Sequence, residues 1–384
     1  MKMIKKIGGK NMAVQELIKN KKYKIDVPIG YSGTKRLRHI ETFYGGKKEA
    51  VLRENELKLQ LKNNTYIKKN KLTMKDLLEE WLESKRNEIE IKTYNSYELW
   101  STKIIDSIGN VKVKEINVKI LEEFYNELKI TTSLSQKSIR DIYTTISMAL
   151  NKAVKWGYIS NNPNLLIDKP KVKKQEIQCY SPEEVEQLLT FLKNEPLKYQ
   201  AIITLAIDSG CRRGEITGLT WNDIDFEKSL IYINKTTQYT PNYGIYEKST
   251  KSETSNRSIY IANSTKEILK KYQKEQFEKR MLLGSRWENS NRVFTTAYGA
   301  DMHPDTPSKI LEKIIKKYNL KRITFHGLRH TSISLQISSG IQSQIISKRA
   351  GHSSVAITDK IYSHFFESEF KDVANKMDSF LQVN

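Results

Sequence analysis

The chain has 384 residues, 38% of them apolar, and 65 lysines and arginines against 44 acidic residues give it a formal net charge of +21. The length predicts two or three domains, and the apolar fraction excludes a disordered protein. Such a charge favours a polyanionic partner, most commonly nucleic acid. A lysine-rich composition without binding significance is the alternative, and only clustering of the charge separates the two.

Cys179 and Cys211 are the two cysteines, and neither has a partner at metal-ligand spacing. Their isolation argues against zinc and against a disulfide framework, and it favours a reducing compartment. No run approaches the roughly 20 apolar residues that a membrane span needs, and the basic N-terminus lacks an apolar signal segment. We therefore expect a soluble, intracellular protein with no membrane partner.

Residues 1–65 form a small basic unit. Residues 1–70 contain 18 lysines and arginines against 6 acidic residues, so more than half of the net charge lies in under a fifth of the chain. Residues 21–27 and 35–40 alternate as strands do, and an apolar stripe of Ala50, Val51, Leu57 and Leu61 predicts a helix over 47–61. A basic strand face favours contact with a DNA groove over a merely solvated sheet. The candidate DNA-binding residues are Lys22, Lys24, Lys35, Arg36 and Arg38.

A helical block follows the polar linker at 63–70 and occupies residues 71–168. Thr73 is a candidate N-cap, and helical spacing continues to a stop at Gly109. Further helices are predicted over 121–128 and 139–156, the last ended by Gly157. This block shows no catalytic set, and residues 169–180 read as an extended basic connector.

Residues 181–384 mix helices with a small sheet. Ser181 followed by Pro182 predicts a helix start, and residues 202–207 predict a buried helix. Residues 230–233 and 258–261 are short runs typical of strands.

Two arginines of this last region are candidates for binding a phosphodiester. Glu215 stands three residues after Arg212 and can aim its guanidinium, although such a pair is more commonly a surface salt bridge. Arg329 lies between His326 and His330. Two guanidiniums can hold the non-bridging oxygens of a phosphate, imidazoles can move protons, and a tyrosine can act as nucleophile.

These residues form motifs in a fixed order. They read GCRRGEI at 210–216, LTWNDID at 219–225, HGLRH at 326–330, GHSS at 351–354 and YSH at 362–364. In order and spacing they resemble the signature boxes of the tyrosine recombinases, the phage-integrase family, and the resemblance extends over the whole chain. It implies a multidomain, mainly α fold with small β-sheets. The implied parts are an arm-type DNA-binding domain at 1–65 with a three-stranded sheet and a helix, a SAM-like core-binding helical domain at 71–168, a linker at 169–180, and an α+β catalytic domain at 181–384.

The resemblance also implies roles for single residues. Tyr362 would attack the scissile phosphate and form a 3′-phosphotyrosyl link, while a lysine in the hairpin around residues 250–259 would protonate the leaving oxygen. Lys251 is preferred for that lysine over Lys248. No metal, ATP or other cofactor is implied. The catalytic set is then Arg212, Lys251, His326, Arg329, His352 and Tyr362, with Glu215 and His330 in support.

The implied function is site-specific recombination that integrates and excises a mobile element, such as a phage or an integrative conjugative element. The implied partners are double-stranded DNA at core and arm sites, three further copies of the chain in a synaptic tetramer, an excisionase and DNA-bending proteins. The implied place is the bacterial cytoplasm, at the nucleoid when bound. A type IB topoisomerase and a catalytically inert DNA-binding regulator are the alternatives.

Overall fold

The computed structural model describes residues 14–19, 21–32, 35–62, 71–173, 178–249, 256–356, 358–359, 377–378 and 381. The chain divides into two compact units, residues 1–174 and 175–384. Within the described ranges, no helix is long and apolar enough to cross a membrane. The finer predicted division, with boundaries near 65, 71, 168 and 181, stays a prediction.

The N-terminal basic segment folds as an antiparallel sheet with a helix. Its elements are β1 (Val14–Ile18), β2 (Lys22–Ser32), β3 (Lys35–Tyr44) and α1 (Lys47–Lys62), in the sheet order β1-β2-β3. Both predicted strands and the helix are confirmed. Tyr23, Ile25 and Val27 alternate along β2 and are buried, and Leu57 of α1 packs against the two aliphatic residues. Val51 was predicted on the buried stripe, but it is 39% exposed, because the inward face of α1 is formed around Ala50 and Leu57.

The predicted helical block is confirmed as four helices: α2 (Met74–Lys85), α3 (Ile91–Ile108), α4 (Val118–Thr131) and α5 (Gln136–Lys155). Thr73 is the N-cap of α2, and its hydroxyl accepts a hydrogen bond from the Asp76 amide while the Asp76 carboxylate accepts one from the Thr73 amide. The helices bury a core around Trp81. A short 3-10 turn, Pro163–Leu166, follows α5.

The second unit mixes helices and short strands, as predicted. Ser181 caps its first helix, and the predicted strands at 230–233 and 258–261 pair with each other in a three-stranded antiparallel sheet, in which the strand at 230–233 is central. The elements are α6 (Pro182–Leu192), α7 (Leu197–Ser209), α8 (Arg213–Gly218), β4 (Ile224–Asp225), β5 (Leu230–Ile233), β6 (Lys235–Thr240), β7 (Gly244–Ser249), β8 (Arg257–Tyr260), α9 (Asn263–Leu283), α10 (Thr306–Lys317), α11 (Phe325–Ser338) and α12 (Ser343–Ala350).

Three close packings in this unit fix the positions of the site residues. Helix α11 packs against α7, and α12 contacts both α11 and β8. Helix α8 is pressed against β6 so closely that a Cβ atom on Gly214 would lie 2.8 Å from the carbonyl oxygen of Thr237. That approach requires glycine at position 214. The site residues therefore come from elements that pack directly on one another.

Candidate active site

Arg212 stands at the N-terminus of α8 and is held by two acceptors. Its Nη1 donates to Oε1 of Glu215 at 2.9 Å, and its Nη2 donates to the carbonyl oxygen of Gly351 at 2.9 Å. The side chain is nevertheless 42% exposed. The predicted pairing with Glu215 is present, but Arg212 precedes α8 instead of lying within it. The guanidinium is thus oriented by two contacts and still accessible to a ligand.

Glu215 is a buried carboxylate shared by two arginines, not half of a surface salt bridge. It is 3% exposed and also accepts hydrogen bonds from Nη2 of Arg257 at 2.8 Å and from Nη1 of Arg257 at 3.2 Å. Burial alone would raise the pKa of Glu215, but the hydrogen bonds and charges of Arg257 and Arg212 outweigh burial and lower it. The carboxylate therefore stays ionised and holds both guanidiniums.

Arg329 is a buried guanidinium with an unsatisfied nitrogen. Its side chain lies on α11, the residue is 3% exposed, and its Nη1 donates to the carbonyl oxygen of Gly210 at 2.8 Å. Its Nη2 has no hydrogen-bond partner among the described residues. Burial, and next the charge of Arg212, lower the pKa of Arg329 to about 10. The group remains charged at neutral pH, and one of its donors lacks an anionic acceptor.

Three histidines surround these arginines. The rings of His326 and His330 meet edge to face at 4.7 Å between centroids, and Nδ1 of His352 lies 2.8 Å from the hydroxyl oxygen of the buried Thr358. Burial, then the charges of Arg329 and Arg212, lower the pKa of His326, although His326 is the most exposed of the three. Burial is also the largest cause that lowers the pKa of His330 and of His352, each to about 4. All three imidazoles are therefore neutral near pH 7 in the free protein.

The structure thus brings together Arg212, Glu215, His326, Arg329, His330 and His352. Lys251 and Tyr362 lie outside the described residues, so their roles stay predictions. Lys248, the second choice for the hairpin lysine, lies on β7 and is half-buried.

The predicted DNA-binding residues are on the strands where the sequence placed them. Lys22 and Lys24 alternate with the buried residues of β2 and so lie on the other face of the sheet. Lys22 stands over the ring of Tyr44, and Arg38 pairs with Asp26 at 2.6 Å. The side chains of Lys35 and Arg36 lie outside the described part of the chain. DNA contact by this face stays a proposal.

Sequence patterns miss two residues of the site. Arg257 begins β8 and contacts Glu215, but nothing in the sequence separates it from other arginines near strands. Gly351 occurs in the GHSS motif, yet its role depends on a contact that only the fold reveals. It ends α12 with φ +68°, and its carbonyl oxygen accepts the Arg212 hydrogen bond.

Gly351→Ala is expected to lower the free energy of unfolding by about 1–2 kcal/mol, because an alanine is strained at φ +68°. It is also expected to displace the Arg257 guanidinium, since the added Cβ would lie 2.8 Å from Nη1 of Arg257. Chemical denaturation measures the first effect. The second is measured by the rate of covalent attachment to a cleavable DNA substrate, the reaction that the sequence motifs lead us to expect. Gly340→Ala is the matched control, with φ +72° and nothing within 4 Å of the added Cβ. Equal rates of covalent attachment to DNA in the two variants would contradict the expected displacement of Arg257.

Acidification is expected to destabilise the free protein between about pH 6.5 and pH 4. The folded-state pKa values of His330 and His352, about 4, lie below the ordinary value of 6.5, so the unfolded chain takes up protons first as the pH falls. The stability that these groups contribute is present above pH 6.5 and is lost as the pH falls toward 4. Melting temperatures at pH 7.5 and pH 5 test this expectation, and the difference should shrink in His352→Gln. An unchanged difference in that variant would refute the assignment.

Comparisons with known proteins address the family. A sequence profile described as the phage integrase family matches residues 179–369, and a second, described as the phage integrase N-terminal SAM-like domain, matches residues 73–129. Together the two matches cover more than half of the chain. The chain belongs to the phage integrase family. The first match includes both arginines, the histidines and Tyr362, and the second lies within the helical block of α2–α5.

Relatives of this family member match along nearly their whole length. It is 28% identical to a protein named tyrosine recombinase XerC-like from Caldanaerobacter subterraneus subsp. tengcongensis, over 90% of this chain and 94% of the relative. It is 26% identical to the ICEBs1 integrase of Bacillus subtilis, over 96% of this chain and 100% of the relative. The chain is therefore a tyrosine-type DNA recombinase, an enzyme that acts in site-specific recombination of mobile elements.

Solved structures share its fold. The Tn1549 transposon integrase in complex with a circular intermediate DNA matches with a TM-score of 0.67 and 20% identity, over 79% of this chain and 99% of that one. A lambda integrase tetramer bound to a Holliday junction matches with a TM-score of 0.58 and 18% identity, over 89% and 92% of the two chains. At these identities, the likeness supports the predicted fold class.

Proposed function

We propose that this recombinase integrates and excises its mobile element by transesterification at Tyr362. The tyrosine oxygen would attack the scissile phosphorus and form a 3′-phosphotyrosyl bond while the bond from phosphorus to the 5′ oxygen breaks. The leaving oxygen would take a proton and become a free 5′-hydroxyl. Attack by a 5′-hydroxyl from another strand would reverse these steps and rejoin the DNA. One phosphodiester replaces another at each step, so the bond energy is kept and the chemistry needs neither ATP nor a metal.

The observation that carries this proposal is the unsatisfied Nη2 of Arg329 beside Arg212. A buried polar group without a partner costs roughly 1–3 kcal/mol, and more when it is charged. A non-bridging phosphate oxygen would satisfy this donor. The guanidiniums of Arg212 and Arg257 bind the buried carboxylate of Glu215, and the guanidinium of Arg329 adds a third positive charge near it, so the site has a positive excess that suits a phosphate. Such preorganised charge stabilises the additional negative charge of the transition state.

Neutral imidazoles complete the proposed site. His326 and His352 would donate hydrogen bonds to the phosphate and exchange protons with the tyrosine oxygen, since imidazole serves as donor or acceptor depending on its tautomer. His330 contacts His326 by its ring edge and would keep that ring in place. Lys251 would protonate the leaving 5′ oxygen, and the nearby Lys248 is the second choice.

The proposed partners are duplex DNA at core and arm sites. The outward face of β2 and β3, with Lys22, Lys24 and Arg38, would contact the arm site, and the helices α2–α5 would bind the core site. Basic side chains that neutralise phosphates make such binding dependent on salt. Four copies would form the synaptic complex in the bacterial cytoplasm, with an excisionase and DNA-bending proteins as accessory factors. The mobile element would be a phage or an integrative conjugative element.

Two alternatives predict different products. A type IB topoisomerase would form the same covalent adduct but would relax one DNA molecule without joining two sites. An inert DNA-binding regulator would form no adduct. The relatives named integrase and tyrosine recombinase favour recombination over both.

The deciding experiment uses a nicked duplex that carries the core site, so that a cleaved strand diffuses away and traps the adduct. We expect a denaturation-resistant protein–DNA adduct without added metal, attached at Tyr362 when the modified peptide is mapped by mass spectrometry. A second assay then supplies two separate DNA molecules with attachment sites. Joined products support recombination, relaxation alone supports the topoisomerase, and the absence of an adduct supports the regulator.

A further inference from the structure

We propose that Arg257 is a positioning residue of the recombination reaction, fixing both the carboxylate that aims Arg212 and the end of α12 that precedes His352. The inference rests on the proposed function, because the positions of Arg212 and His352 matter only if they act on a phosphodiester. Arg257 itself contacts no reacting atom in this proposal.

The contacts of Arg257 join three parts of the fold. Its Nη2 and Nη1 donate to the two carboxylate oxygens of Glu215 at 2.8 and 3.2 Å, the two-pronged geometry that guanidinium and carboxylate favour. Its Nε donates to the carbonyl oxygen of Arg349 at 2.8 Å, in the last turn of α12. The side chain is 7% exposed. One buried guanidinium thus connects β8, α8 and α12.

Glu215 and the end of α12, which hold Arg257, also hold Arg212. Oε1 of Glu215, which accepts Nη1 of Arg257, also accepts Nη1 of Arg212 at 2.9 Å. The other end of the Arg212 guanidinium donates to the carbonyl oxygen of Gly351, two residues after Arg349. The contacts therefore form a closed ring through Arg257, Glu215, Arg212 and the end of α12. A shift of Arg257 would change both supports of Arg212 together.

Burial explains why Arg212 cannot replace Arg257 in this ring. Glu215 is 3% exposed, and a buried carboxylate needs charged donors to offset its desolvation. Without Arg257, the carboxylate would keep one guanidinium, which it would draw inward and away from the bound phosphate. Arg257 therefore leaves Arg212 available for the phosphate by satisfying the far side of Glu215.

Arg257 also marks the end of the segment predicted to carry the general acid. Its backbone pairs with Ile233 of β5, and β8 begins there, after residues 250–255. Because the backbone of Arg257 is held in the sheet, the point from which its side chain extends is fixed. This supports a positioning role rather than an adjustable surface contact.

Arg292 provides a matched control in the same unit. It is 4% exposed, donates to the carbonyl oxygen of Gly218 at 2.5 Å, and pairs with Glu247 and Asp301. None of these acceptors is one that holds Arg212. Loss of Arg292 should therefore cost stability as loss of Arg257 does, without a specific effect on the phosphate.

The test compares Arg257→Met and Arg292→Met on two nicked core-site duplexes. One has the natural scissile phosphate, and in the other a methyl group replaces one non-bridging oxygen and removes the charge that the guanidiniums offset. We expect Arg257→Met to form the adduct about 100-fold more slowly than wild type on the natural phosphate and about 10-fold or less more slowly on the methyl substrate. DNA affinity should stay within about 3-fold, since the lost contact does not touch DNA.

The outcomes separate the positioning role from the proposed function. If the loss of adduct rate relative to wild type is smaller on the methyl substrate than on the natural phosphate for Arg257→Met, but not for Arg292→Met, the result supports positioning of the phosphate-binding arginine. Equal defects on both substrates, or no defect, overturn it. If Arg257→Met does not fold by circular dichroism, Arg257→Lys carries the same comparison, because it keeps the charge but not the fork. No adduct from wild-type protein on the natural phosphate contradicts the proposed function itself.

Discussion

Arg329→Met should reduce the rate of covalent adduct formation by about 10³-fold while leaving DNA affinity within about 3-fold. The reason is the position of Arg329, which is 3% exposed and has a buried Nη2 without a partner in the described residues. Its guanidinium would contribute most when charge accumulates on the phosphate in the transition state. Quenched time courses on the nicked core-site duplex measure the rate, and gel shifts measure the affinity.

Two comparisons make this expectation specific. Arg280→Met removes an arginine from the last turn of α9 and should change the adduct rate by less than about 2-fold, as is usual for a surface substitution. The melting temperature of Arg329→Met should not fall, because methionine removes a buried charge that is incompletely paired. A rate close to wild type in Arg329→Met would remove the central observation from the proposed function.

Tyr362→Phe is expected to abolish the adduct altogether, since it deletes the one oxygen that forms the phosphotyrosyl bond and retains the ring. DNA binding should be unchanged. Denaturing gels of the nicked duplex measure the amount of adduct. Their detection limit should lie at least about 10⁴-fold below the wild-type signal, because deletion of a catalytic nucleophile commonly lowers a rate by that much or more.

Two other tyrosines serve as controls for Tyr362. Tyr298 is 58% exposed and Tyr243 is 64% exposed, and both belong to the second unit. Their phenylalanine variants should form adduct at the wild-type rate. An adduct that persists in Tyr362→Phe, or that disappears in one of the controls, would reassign the nucleophile.

Local sequence signals predicted most of the fold. The caps at Thr73 and Ser181 and the alternation along β2 are short-range patterns, and the structure confirms the elements that they predict. The wrong prediction that Val51 is buried has a different cause, which is long-range packing. Its spacing fits a helix stripe, but which side of a broad stripe faces the sheet depends on packing that the sequence does not encode locally.

The candidate site was predicted only in part, because packing between distant residues decided the rest. Motif order identified Arg212, His326, Arg329 and His352, and the structure brings them together. The burial of Glu215 and its sharing with Arg257 were not predicted, because an arginine and a glutamate three apart are usually an exposed pair. Contacts between residues far apart in sequence leave no local pattern.

One such contact determines when the site can form during synthesis of the chain. Arg212 donates to the carbonyl oxygen of Gly351, 139 residues later, and a contact over that separation forms only after the intervening chain is available. Ribosomes extend a chain at about 5–20 residues per second, so synthesis of the N-terminal sheet and the helices α2–α5 is complete about 10–40 seconds before Gly351 is added. A nascent chain can thus fold its first unit while its cleavage site is still unassembled. Until Gly351 is added, Arg212 lacks the acceptor that holds the outer end of its guanidinium.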